Sequence, residues 1–144
     1  MTQEIDKTNR TLEDRVVLVT GANGGLGEEF VQQAIQRGAR RVYAAARKPR
    51  VWNDARIVPL TLDITKADDI TRAVATAQDC DLLINNAAIA PEADVLLQPA
   101  AETRRIFDTN FFGTLNVANA FAPVLGANGG GTMLNILSVA AWVS

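Results

Sequence analysis

The apolar run Arg15-Val-Val-Leu-Val-Thr20 passes without a linker into the glycine turn Thr20-Gly-Ala-Asn-Gly-Gly-Leu-Gly27. That junction constrains the fold more than any other stretch of the chain. Consecutive β-branched and aliphatic residues, with no polar alternation, suit a strand buried on both faces, the environment of a parallel sheet. Glycines at 21, 25 and 27 let the backbone turn tightly and approach a pyrophosphate at a helix N-terminus. Beyond them, Leu26, Phe30, Val31, Ala34 and Ile35 recur at three- and four-residue spacing, and Gly38 supplies a stop. The pattern predicts a helix over 25–37. The spacing Gly-x-x-x-Gly-x-Gly departs from the commoner Gly-x-Gly-x-x-Gly, and no Gly-Lys-Ser/Thr follows, as a P-loop requires. A tight structural connection remains the alternative for such a turn; its place between a buried strand and a helix favours phosphate binding.

The rest of the chain repeats the alternation. Strands are predicted over 41–46, 56–60 with Pro59 near its end, 81–84 and 132–137. Helices are predicted over 66–77, capped by Thr65 with Asp68 and Asp69 in the first turn, and over about 101–124. Strands alternating with helices through short loops imply an α/β fold with a mostly parallel, doubly wound sheet and right-handed crossovers. Ligands of such sheets bind beyond the carboxyl ends of the strands. Thr20, Ala46, Asp63, Asn85 and Ser138 all fall at or just after such ends, so one edge of the sheet gathers polar groups from distant segments.

Composition narrows the chemistry. The 144 residues suit one domain, and 14 basic against 16 acidic side chains leave no broad positive field for a nucleic-acid partner. The single cysteine, Cys80, forms no internal disulfide, so a reducing, cytoplasmic setting is expected. The first ten residues are polar and charged, and no apolar run approaches the roughly 18 residues of a membrane span. A soluble chain without a membrane partner is expected. Histidine is absent, which removes Ser-His-Asp triads and the usual zinc sites; no metal site is expected.

About twenty residues past Gly27, where a carboxylate would bind the ribose 2'-hydroxyl of NAD, the second strand ends in Ala46-Arg47-Lys48. Arg47 offers a planar donor fork and Lys48 a point charge, which favours NADP over NAD; a solvated basic turn is the plainer alternative.

Taken together, these segments resemble the short-chain dehydrogenase/reductase family in its short single-domain form. Thr20 to Gly27 resembles the family's Thr-Gly-x-x-x-Gly-x-Gly, and Leu62-Asp63-Ile64 the segment whose Asp holds the adenine amino group. Asn85-Asn86-Ala87-Ala88 is similar to the family's Asn-Asn-Ala-Gly, with Ala88 in place of the last glycine. If that position required positive φ, alanine would be penalised by about 1 kcal/mol or more. Asn110, in Asp108-Thr-Asn-Phe-Phe-Gly113, matches the active-site asparagine that supports a proton relay, and Ser138 the serine that binds the substrate oxygen.

The resemblance implies a Rossmann-like, three-layer α/β/α architecture with strand order 3-2-1-4-5-6-7, of which this chain supplies about five strands. It implies hydride transfer between a nicotinamide and a carbonyl or alcohol substrate. Thr20, Gly21, Asn23, Gly25, Leu26, Gly27, Arg47, Asp63, Ile64, Asn86 and Ala87 would hold the cofactor, with Ser138 and Asn110 catalytic. The family's Tyr-x-x-x-Lys, expected about thirteen residues after Ser138, does not occur in the 144 residues. The one tyrosine, Tyr43, has Arg47 four residues on. Residues 1–14 are accordingly expected to be a polar tail and 15–144 a nucleotide-binding domain, C-terminally incomplete and inactive by itself. Its fifth strand would be an open edge that promotes self-association, and the parent protein is expected to be a homo-oligomer. A non-catalytic sensor or interaction module, or an inactive fragment, are the alternatives.

Overall fold

Every residue of strand β1 (Val16–Thr20) is buried, which fixes it at the centre of the sheet. The computed structural model describes residues 12–90 and 97–138. Within them, β1 pairs in parallel with β2 (Arg41–Ala46) on one side and with β4 (Leu82–Asn85) on the other. Strand β3 (Ile57–Thr61) extends the sheet beyond β2, and β5 (Thr132–Asn135) extends it beyond β4. The order is β3-β2-β1-β4-β5, all parallel, the expected doubly wound arrangement. Pro59, which lacks an amide hydrogen, is accommodated because β3, at the sheet edge, pairs among the described residues only with β2.

Successive side chains of β1 serve opposite faces, as the pleat demands. Val17 and Val19 pack into a core with Val31, Ala34 and Ile35 of helix α1 (Gly25–Gln36). Val16 and Leu18 pack into a second core with Ile70 and Ala73 of α2 (Ala67–Thr76) and Phe121 of α4 (Thr114–Ala127). Helices thus cover both faces, and the three layers expected of a Rossmann-like fold are present.

Two local expectations need correction. Thr65 does not cap α2: the residue before the helix is Lys66, which makes no side-chain cap. Because the helix starts one residue later than expected, Thr65 stands outside the cap position; its hydroxyl and its amide both donate to Asp63 Oδ1, at 2.7 and 3.0 Å, in a local side-chain turn. The long helix is also not uniform. It runs as α3 (Ala100–Phe107), a π-helical turn (Asp108–Gly113) and α4. A Cβ at Gly113 would stand 2.9 Å from Ile64 Cγ1 and 3.1 Å from its carbonyl oxygen, so the turn lies directly on the segment after β3.

The amino-terminal edge of the sheet is tied by polar contacts. Arg15 Nε donates to Asp81 Oδ1 at 2.8 Å, while Arg41 Nη1 and the Tyr43 phenol both donate to Asp79, each at 2.8 Å. Arg41, the first residue of β2, is therefore part of a clasp between that strand and the loop before β4. Asn128 adds bonds to the carbonyls of Gln78 and Cys80 at 2.8 and 2.9 Å.

Candidate functional site

The carboxyl-terminal edge opens into a cleft of about 920 Å³. Gly21, Asn23 and Gly24 line it from the turn after β1, Arg47 and Lys48 from the turn after β2, Asp63 and Ile64 from the segment after β3, and Asn86 and Ala87 from the segment after β4. Four sequence-distant stretches converge because every parallel strand delivers its C-terminal residue to the same edge.

The floor of the cleft is the glycine turn. Gly21 has φ of +67°, and a Cβ there would meet Ala87 Cα at 2.9 Å. At Gly27 a Cβ would fall 2.0 Å from the Gly21 carbonyl oxygen, so no larger residue fits without moving the backbone. Gly25, at φ of +54°, starts α1, and Gly24 before it provides no side-chain cap. The first-turn amides of a helix lack intrahelical acceptors, so this end of α1 presents donors to an anion. Leu26, 62% exposed, stands at that end.

Thr20 sits beneath, only 2% exposed, and works as an internal tie. Its hydroxyl oxygen accepts the amides of Asn86 and Ala87, each at 3.0 Å, and its proton is directed to the Ile84 carbonyl at 3.5 Å. Asn86 Nδ2 donates to the carbonyls of Thr20 and Gly21 at 3.0 and 3.3 Å. Asn86 thereby fixes the curvature of the glycine turn from the neighbouring strand. Ala88 stands where a glycine was expected, yet Asp14 is the one described non-glycine residue at positive φ, so the alanine carries no left-handed strain.

Asp63 forms the far wall. Burial pushes its carboxyl up, but the Thr65 hydroxyl and amide, Lys66 and Arg47 outweigh this and hold it below the usual carboxylate range. Thr65 occupies Oδ1, while Oδ2 faces Lys66 Nζ at 4.0 Å and keeps acceptor capacity. The Asp63 amide donates to Asp69 Oδ2 at 2.9 Å, and Asp69 is paired with Arg72. Asp69, in the first turn of α2 as expected, therefore also anchors the segment that carries Asp63. Arg47 and Lys48 are exposed, and neither makes a salt bridge with a described residue.

Asn110 projects from the π-helical turn. Its Oδ1 accepts the Ile89 amide at 2.8 Å and its Nδ2 donates to the Ile89 carbonyl at 2.7 Å, which ties the helix to the segment after β4. Ser138 lies past the end of β5, exposed, and outside the cleft lining. Ile89, Arg105, Asp108 and Thr109 also line the cleft and were not among the expected residues. Asp108 and Thr109 flank the singled-out Asn110 on the same turn, a signal that proximity in sequence offered. Arg105 has no such signal, since it reads as one member of a Glu102–Arg105 surface pair.

Comparison with known proteins gives a consistent answer. The family model described as short chain dehydrogenase matches residues 15–144. An uncharacterized oxidoreductase of Staphylococcus saprophyticus is 32% identical over 143 residues, spanning 92% of this chain and 58% of that protein. A solved short chain dehydrogenase from Burkholderia cenocepacia, in complex with NADP, is 42% identical at a TM-score of 0.83, covering 92% of this chain and 56% of that one. A 3-ketoacyl-(acyl-carrier-protein) reductase from Brucella melitensis, complexed with NADH, is 29% identical at a TM-score of 0.84, covering 90% of this chain and 60% of that one. The chain thus spans between 56% and 60% of the length of these three relatives.

Proposed function

Because the chain belongs to the short-chain dehydrogenase family, we propose that it is the cofactor-binding portion of an NADP-preferring oxidoreductase acting on a carbonyl or alcohol. The observation that carries this reading is the pairing of a side-chain-free glycine floor with two exposed cations, Arg47 and Lys48, across one cleft. At positions 21 and 27 a Cβ would collide with Ala87 Cα and with the Gly21 carbonyl oxygen, so the turn closes onto its neighbours only as glycine, while a Cβ at Gly24 would meet nothing within 4 Å and the turn there stays open to a pyrophosphate. At the second turn there is no carboxylate to repel a 2'-phosphate, and Arg47 supplies a fork that matches it. Asp63 Oδ2 accepts the adenine amino group, and the Ile64 backbone sits beside it. Thr20, Asn86 and Ala87 hold the floor, Asn23 the tip of the turn, and Gly25, Leu26 and Gly27 present the helix end to the phosphates.

When bound, the nicotinamide supplies the hydride donor or acceptor. Ser138 orients the substrate oxygen. Asn110 keeps Ile89 and the helix in register beside the reacting end of the cleft. The residues 1–144 contain neither a second tyrosine nor a Tyr-x-x-x-Lys, so by themselves they bind the cofactor without turning it over. Assembly into a homo-oligomer is part of this reading, supported by the exposed stripe Phe107, Phe111 and Leu115 at four-residue spacing.

Titration of NADPH and NADH by calorimetry tests the proposal. NADPH binding should be tighter, and Arg47→Asp should weaken it roughly 10- to 100-fold, the range of one charge-assisted hydrogen bond, while NADH changes little. Equal losses for both cofactors would remove phosphate recognition from the reading, and no binding of either would remove the reading itself.

A further inference from the structure

Asn23 is the tip of the glycine turn, and its side chain turns away from the floor toward the loop after β2. Its Nδ2 donates to the Lys48 carbonyl at 2.7 Å, and its Oδ1 accepts the Arg50 amide at 3.3 Å. One residue earlier, the Ala22 amide donates to the Ala45 carbonyl at 3.0 Å. The two turns are thus laced together over residues 45–50, on both sides of Arg47.

Beyond the lacing, the Arg50 side chain is occupied. Its guanidinium pairs with Glu28 of α1 at 2.6 Å and lies 3.9 Å above the Trp52 ring. Arg50 is therefore the anchor of the loop, while Arg47 and Lys48, between the two attachment points, carry the charges left for a ligand. These two side-chain bonds of Asn23 are solvent-exposed, and an exposed hydrogen bond adds little to folding stability. What such a bond does supply is geometry: it removes the freedom that a flexible turn would otherwise lose when it closes on a ligand.

We infer that Asn23 is a positioning residue for cofactor choice: by bracing the Lys48–Arg50 backbone it pre-sets Arg47 and Lys48 for the adenosine 2'-phosphate. The inference rests on the NADP reading above and adds the element that makes the basic turn selective.

The test is Asn23→Ala in the full chain, with dissociation constants for NADPH and NADH measured side by side. NADPH binding should weaken about 5- to 20-fold and NADH binding less than about 2-fold, because only the phosphate uses the braced turn. In an Arg47→Ala/Lys48→Ala background, Asn23→Ala should leave the ratio of the two constants unchanged. Hydrogen exchange of the cofactor-free protein should show the Arg50 amide exchanging faster in Asn23→Ala. Equal weakening of both cofactors overturns the inference, since it makes Asn23 a ribose or pyrophosphate contact. So does an unchanged ratio in a chain that prefers NADPH. An unmutated chain that binds NADH as tightly as NADPH instead sinks the NADP reading itself, which separates the two failures.

Discussion

The Thr20 hydroxyl oxygen accepts two consecutive backbone amides, those of Asn86 and Ala87, each at 3.0 Å. One side chain at the end of β1 therefore satisfies the chain as it leaves β4, and both strand ends are held at a fixed separation beneath the cleft. Thr20→Val keeps the shape and removes the acceptor. It should lower stability by about 1–3 kcal/mol, the penalty for stranding buried donors, and should weaken any cofactor that uses the floor. Thr20→Ser retains the oxygen and should restore most of the loss. Urea unfolding of the two variants decides this, and a Val variant as stable as the parent would show the tie to be idle.

Gly113 stands against Ile64 at a distance that admits no side chain. Gly113→Ala should push the π-helical turn away from the cleft wall or force Ile64 to shift, at roughly 1–3 kcal/mol, the usual range for overpacking. Thermal unfolding reads the loss of stability. Because Asn110 lies on the same turn, amide exchange at Ile89 should rise as well, and an unaltered Ile89 would show that the turn is held by other contacts.

Asp63 gives the stability a pH dependence of known sign. Its folded carboxyl is held below the usual range, so its contribution is present above the unfolded value of about 3.9 and is lost as the pH falls through the lower folded value. The stability gap between the parent and Asp63→Asn should be widest above about pH 5 and should close in acid. Urea midpoints from pH 7 to pH 3 measure it; a gap that stays constant contradicts the assignment.

Cys80 is fully buried, and burial pushes its thiol up to about 12. The stability linked to it is fully present below the unfolded value of about 8.5 and is lost as the pH rises from there toward the folded value. At pH 8 an alkylating reagent should react only as fast as the protein opens, with the rate climbing in step with added urea. Rapid labelling of the native chain would place the thiol nearer to solvent than the fold does.

The central strands were legible because a parallel sheet buries them on both faces, so Val16 to Thr20 and Leu82 to Ile84 appear in sequence as unbroken apolar runs. The glycine turn was legible for a related reason, since Gly21 and Gly27 are glycines by steric necessity. What sequence could not disclose depends on partners far away along the chain. The π-helical turn rests on the contact between Gly113 and Ile64, and periodicity along one helix carries no trace of it. Thr65 has the residue type of a cap, but α2 starts one residue later than expected, behind Lys66, and the Thr65 hydroxyl bonds Asp63 instead, an offset that only the folded loop decides. Asn23 was singled out for the right region, whereas its bonds to Lys48 and Arg50 join residues 25 and 27 positions apart.

The clasp at the amino-terminal edge, where Arg15 meets Asp81 and Arg41 meets Asp79, lies at the opposite ends of the strands from the glycine floor. The two ion pairs therefore fasten β1, β2 and the loop before β4 at the end away from the cleft, while the Thr20 tie holds β1 and the chain leaving β4 at the cleft itself. A lineage built on such a plan can exchange these ion pairs to suit temperature or salt while the cleft stays as it is, whereas a change at Thr20 or Asn86 alters frame and cleft together.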